Sequence, residues 1–248
     1  MKNIRKTATL LLTSLTLMTG CNVRGWEITR DEAIAVIEDI YNEASDKSED
    51  DLISFTAKVD IEATQDNEEV EITTKIKYDA DNRVLYYKLN LESVYITEKI
   101  EYYCGYKGES VYFFDVITEN YYVYSGDDKD KIWDEVEEYL AFPIIKSEEI
   151  ADELLFIAYS DDGDNEDVKT KYYTSGKGNV YVKYISKEYA EEESKIIYQF
   201  KDNLVIKEII EGQDIKGNKI NMKTNVRYRA NVKLPSTKGY TKRENTNI

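Results

Sequence analysis

The 248-residue chain contains no histidine. That absence removes histidine triads, histidine general bases and nearly all zinc sites. Cysteine is reduced to Cys21 and Cys104, and proline to Pro143 and Pro235. After the N-terminal segment there is no apolar run of the roughly 20 residues that a helix needs to span a bilayer. Positive charge is also in deficit, with 33 basic against 49 acidic residues and a net charge of −16. A chain so acidic is expected to avoid nucleic acid and anionic lipid headgroups. With 33% charged residues it could suggest disorder, but 42% hydrophobic residues and 22 tyrosines argue for a packed core. Some 200 ordered residues suffice for one sizeable domain.

What is present begins with Lys2, Arg5 and Lys6, followed by an apolar run from Thr7 to Thr19. Charged, then apolar, then small is the layout of a secretory signal. The run holds 13 residues and is too short for a transmembrane helix. It ends Leu17-Met18-Thr19-Gly20-Cys21, which resembles the bacterial lipobox. Met18 and Thr19 stand where that pattern prefers Leu and Ala or Ser, while Gly20 suits the peptidase. The resemblance implies cleavage before Cys21, lipid on its thiol, and an extracytoplasmic protein held to the membrane by that lipid. Loss of residues 1–20, which carry three cations and no acid, takes the charge from −16 to −19. Lipidation of Cys21 would leave Cys104 as the sole thiol, without an intramolecular disulfide partner.

Residues 21–29 read as a tether. Thr29 is expected to cap a helix whose first turn holds Asp31 and Glu32, with Ala33, Val36, Ile37, Ile40, Tyr41 and Ala44 as its apolar stripe. The period then changes to two. Ile53, Phe55, Ala57, Val59, Ile61 and Ala63 alternate with polar residues, and Val70, Ile72, Thr74, Ile76 and Tyr78 repeat the scheme. Antiparallel strands with one wet and one covered face read this way. Further strands are expected near 83–91, 93–104, 109–117 and 120–125, the last two apolar on both faces. Between them and a second strand group come two helices. One is expected over 130–142 and ended by Pro143, the other capped by Ser147. Strands then return near 167–175, 178–186, 193–200, 203–211 and 217–234, and a loose tail is expected over 236–248.

The expected fold class is therefore α+β. About eleven strands would form one large curved antiparallel sheet, a half-barrel, with helices covering its concave face. A single domain over 30–235 follows. Its element order resembles the LolA/LppX-like lipoprotein-carrier superfamily. The closing segments Tyr198-Gln199-Phe200-Lys201-Asp202-Asn203-Leu204, Asn225-Val226-Arg227-Tyr228 and Leu234-Pro235 also fit it. The resemblance implies an acyl or lipid-like ligand inside the half-barrel, and relatives that act as envelope sensors. Phe55, Val59, Ile72, Ile76, Leu85, Leu89, Ile96, Ile100, Met222 and Val226 are the expected lining. Under the plainer reading the same residues form a closed core.

Other constellations have ordinary explanations. Asp161, Asp162, Asp164, Glu166 and Asp167 lack the EF-hand spacing, because Gly163 comes too early. A solvated acidic loop is the better account. With 49 acids some carboxylates will meet at glycosidase distance by chance, and nothing selects a pair. No cofactor, metal or catalytic residue is assigned, which leaves an acid-pair hydrolase as a remote third reading. The second reading is a sensor whose acidic face meets an envelope protein. Cys104 falls on the apolar side of its strand and is expected to be inert. Most tyrosines occupy strand positions, where packing explains them better than sugar stacking.

Overall fold

The computed structural model describes residues 26–46, 52–65, 68–160, 168–174, 180–186, 195–213 and 218–244. Cys21, the signal segment and the acidic run 161–167 lie outside them.

Helix α1 (Arg30–Ser45) begins where the sequence says it should. The Thr29 hydroxyl accepts the Glu32 N–H at 3.3 Å, and Glu32 reaches back to accept the Thr29 N–H at 2.9 Å. This capping box satisfies two donors that a helix start leaves open. Ala33, Ile37, Ile40 and Ala44 are buried along one face. Helices α2 (Asp127–Leu140) and α3 (Phe142–Ser160) follow the first strand group.

One expectation about these helices holds and one is corrected. Helix α2 does stop before Pro143, at Leu140, and Pro143 is itself the second residue of α3, where its missing N–H costs nothing. Ser147 does not cap α3 but sits buried inside it. Its hydroxyl donates to the Pro143 carbonyl, one turn back, and accepts the Val205 N–H at 2.9 Å. A serine spaced before a helical stripe looks the same in both roles.

The sheet is one open array of 13 strands. In chain order they are β1 (Trp26–Ile28), β2 (Phe55–Gln65), β3 (Glu68–Asp79), β4 (Val84–Ser93), β5 (Thr97–Lys107), β6 (Ser110–Asp115) and β7 (Asn120–Tyr124). After α2 and α3 come β8 (Val168–Thr174), β9 (Val180–Ser186), β10 (Lys195–Lys201), β11 (Leu204–Gln213), β12 (Lys219–Arg227) and β13 (Thr241–Lys242). In space β2 pairs with β12, which joins the two strand groups into one sheet. All pairings are antiparallel except the two-residue parallel contact of β13 with β7. The eleven expected strands are β2 to β12, and β1 and β13 are short additions at the edges. Asp202 and Asn203 both adopt positive φ, +50° and +57°, as a tight hairpin between β10 and β11 requires. Beside that turn Ile206 bulges from the ladder, since Gln199 faces Lys207 but Phe200 faces Val205.

The C-terminal region departs most from expectation. The strand anticipated over 217–234 ends at Arg227, and residues 228–240 cross the outer face as an irregular strap. Val232 is buried there with Val84 and Tyr86. Its N–H donates to Asp79 Oδ2 at 3.1 Å. An extended segment with one covered side alternates in sequence whether or not it joins a ladder, so the pattern could not separate strand from strap. Nor is residue 236 the start of a loose end. Tyr240 packs edge-on against Phe114 at 5.1 Å, and the Arg243 N–H donates to the Tyr121 carbonyl at 2.9 Å. The outer face of β6 and β7 is thereby covered as well as the inner, which accounts for their apolar character on both sides.

Candidate functional site

Strand register fixes which residues share the inner face. Across β12, β2, β3, β4 and β5 one row runs Val226, Ala57, Ile76, Tyr87, Tyr102, and another runs Met222, Ile61, Ile72, Leu91, Glu98. The main core takes residues from strands right across the sheet, from Tyr172 of β8 to Tyr124 of β7. The helices cover one end of the strands. There Phe55, Leu85 and Cys104 have no exposure, and Ile76 and Val226 are buried with them in the main core.

The ten expected lining residues divide along this boundary. Phe55, Ile76, Leu85 and Val226 belong to the closed core and line nothing open. Val59, Ile72, Leu89 and Met222 lie further along the same face, partly exposed and outside the core cluster. Ile100 is 36% exposed beside them. Ile96 is a misplacement: it sits on the β4–β5 hairpin tip, 58% exposed, and not within a strand. Ser93 makes that tip, its hydroxyl accepting the Ile96 N–H at 3.0 Å and its own N–H donating to the Ile96 carbonyl at 2.8 Å. Serine in that role curls the chain before the alternation can continue. Ile61, Leu91 and Ile210, outside the expected lining, share the half-open surface.

An aromatic file borders it. Tyr87 stacks on Tyr102 at 5.1 Å, Tyr102 on Phe113 at 5.0 Å, and Tyr139 of α2 packs on Tyr87 at 5.1 Å. Burial raises the pKa of Tyr87 and Tyr102, and neighbouring phenols add to the shift. Both hydroxyls therefore stay neutral at physiological pH. Burial also pushes the Cys104 thiol up to about 12, so it is a weak nucleophile.

One inward charge escaped the sequence reading. Glu208 is 1% exposed on the inner side of β11. It accepts the Thr224 hydroxyl at 2.9 Å and pairs with Lys146 of α3 at 3.3 Å. The Ile206 bulge shifts the alternation of β11, which hid this position. Glu208 ties helix to sheet within the covered end. Among the described residues no cluster of three or more His, Cys, Asp or Glu could hold a metal ion. Among them, too, no helix is long and apolar enough to cross a membrane.

No family model matches the chain, and no curated protein matches it. Solved structures give distant likenesses. One is a conserved uncharacterized protein from Thermus thermophilus, with 10% identity, TM-score 0.30, and coverage of 86% of this chain and 99% of that one. Another is a beta-barrel-like protein of the domain of unknown function DUF1849 from Brucella abortus, with 9% identity, TM-score 0.22, and coverage of 71% and 96%. A DUF1329 family protein from Desulfovibrio piger follows, with 9% identity, TM-score 0.23, and coverage of 81% and 95%. This chain's own strand pairing defines its class, an open, helix-backed antiparallel sheet.

Proposed function

We propose that this is a non-catalytic, extracytoplasmic lipoprotein, anchored through lipid on Cys21, whose half-barrel takes an apolar or amphipathic ligand. One observation carries the reading: the inner face stays apolar beyond the reach of its helices. Val59, Ile61, Ile72, Leu89, Leu91 and Met222 continue the core pattern without joining the core. Apolar area left partly in water becomes favourable when a ligand covers it, at about 25 cal/mol per Å². The neutral phenols of Tyr87 and Tyr102 fit an acyl chain better than a charged group. The LolA/LppX-like resemblance points to the same ligand class, and the lipobox-like segment would keep the protein beside a source of lipid.

Native mass spectrometry of the gently purified chain should show retained lipid. A long-chain fluorescent probe should bind saturably, be displaced by fatty acid, and lose its site in Ile72→Glu/Leu89→Glu. Absence of both retained lipid and saturable probe binding would sink the proposal. The anchor is tested separately, since Cys21→Ser should abolish incorporation of a labelled fatty acid.

A second reading has its own observation. Val94, Tyr95 and Ile96 are 70%, 75% and 58% exposed on one hairpin tip. A sensor would use such a tip to contact a partner protein. Crosslinking from position 95 to one envelope protein, with no lipid retained, would favour that reading.

A further inference from the structure

The outer face of the sheet carries its charges in bands. Register sets Lys207, Asn225, Lys58, Lys75 and Lys88 side by side across β11, β12, β2, β3 and β4. Four residues along each strand, Glu211, Asn221, Glu62, Glu71 and Glu92 make a parallel acidic row. Like charges directly opposite destabilise an antiparallel pair. Exchanging Glu71 and Lys75 alone would turn Lys58–Lys75 and Glu62–Glu71 into opposite-charge pairs. The sequence keeps the bands instead.

The basic band opens into a groove of about 910 Å³, lined by Lys58, Lys75, Lys201, Lys207, Arg227 and Arg229 with no carboxylate in its described lining. Of these six cations only Lys58 has an ion pair among the described residues, with Asp60 at 2.7 Å. Nearby Lys77 has its ammonium pKa lowered, first by burial and then by the charge of Lys75. Asp60 offsets Lys58, and the other five cations still concentrate positive charge in the groove of a chain of net charge −16.

We propose that this groove binds a linear, phosphate-bearing polyanion lying across the strands. Strands about 4.8 Å apart spread Lys207 to Lys75 over roughly 14 Å, the reach of several phosphates; Lys88, one strand further, is paired with Glu101 at 2.8 Å. Lysine ammonium groups act as point charges for phosphate. Tyr228 is the only aromatic in the described lining, so recognition reads charge and offers no platform for successive bases. The acidic row lies about 13 Å from the lysine row. A Debye length of about 8 Å at physiological salt largely screens a phosphate on the lysines from it. A flat anionic bilayer would meet both rows at once, which favours a narrow polymer over a membrane. The net charge, which predicts avoidance of polyanions, averages over a surface that the register has sorted.

The test is titration of the full chain with labelled inorganic polyphosphate, followed by anisotropy at several salt concentrations. Saturable binding that weakens with salt is expected. Lys75→Gln/Lys207→Gln should weaken it about tenfold or more and lower the log–log salt slope by about two. Its melting temperature should hold or rise, because the Lys58–Lys75 repulsion is relieved. Lys131→Gln/Lys233→Gln, outside the groove, should change neither. No saturable binding, an equal loss in the control pair, or stronger groove-dependent binding to phosphatidylglycerol vesicles than to polyphosphate would each overturn the proposal.

Discussion

Two ends of one sheet face can be compared along single strands. On β2, Phe55 and Ala57 have no exposure, while Val59 and Ile61 are partly exposed; on β4 and β5, Leu85 and Cys104 give way to Leu89 and Ile100. Residue type hardly changes across the boundary. Coverage does, because α1 to α3 reach only one end. An apolar strand pattern therefore records what a face is suited to touch, whether the partner is the protein's own helix or something from outside. The comparison makes a quantitative demand: truncations at the covered end must cost far more than those at the open end.

The largest effect is expected from Phe55→Ala. Phe55 is fully buried between Tyr78 and Phe142, with ring centroids 6.4 and 6.3 Å away. The loss should be about 3–5 kcal/mol in urea unfolding. A loss below about 1 kcal/mol would show that the covered end is no tighter than the open one.

Lys146→Met comes next. It leaves the Glu208 carboxylate in the core without its cation, held by the Thr224 hydroxyl. Removing one partner of a buried pair costs about 3–5 kcal/mol, and the 26% exposure of the Lys146 side chain lowers that to roughly 2–4. Lys146→Met/Glu208→Leu should recover most of the loss. If the double variant is no better than the single, the pair is not what holds α3 on β11.

These two sites also show what the sequence could reveal. Phe55 stands in a clean alternation, and both its burial and the eleven-strand sheet follow from period two. Glu208 could not be found, since the Ile206 bulge moves it to the face its neighbours do not predict. Ser147 and residues 228–240 are not legible in the sequence because one local pattern serves two tertiary uses. For the residues expected to line a cavity, periodicity picks out one face, but helix reach divides that face, and reach is a three-dimensional quantity. The charge bands needed strand register, which no single strand contains.

Acid should loosen the strap before the covered core. Burial would raise the Asp79 pKa, but hydrogen bonds from Asn82, the Val232 N–H and the Asp81 N–H outweigh it and hold the carboxyl below its usual range. A depressed folded pKa means stability that is complete above the unfolded value, about 3.9, and lost as pH falls through the lower folded one. The contribution is roughly 1.5–3 kcal/mol, the scale of hydrogen bonds to a charged group. Asp79→Asn should flatten the pH dependence of stability below about pH 4 and speed exchange of the Val232 amide at neutral pH. Unchanged exchange would mean that the strap is held by Val232 packing alone.

The smallest effect is expected at the open end, and it bears most directly on the comparison. Leu89→Ala and Ile72→Ala remove side chains that water already reaches, so each should cost under about 1 kcal/mol in the ligand-free chain. Leu89→Glu should cost little more, because a carboxylate there can keep contact with solvent. The measurement is urea unfolding before and after extraction with organic solvent. If extraction leaves the cost of Leu89→Ala small, the surface is open. A cost of about 2 kcal/mol or more, as for a fully buried leucine, that disappears on extraction would mean a bound apolar molecule covers it. A large cost that survives extraction would mean that protein covers this end too, and the two ends would no longer differ in kind.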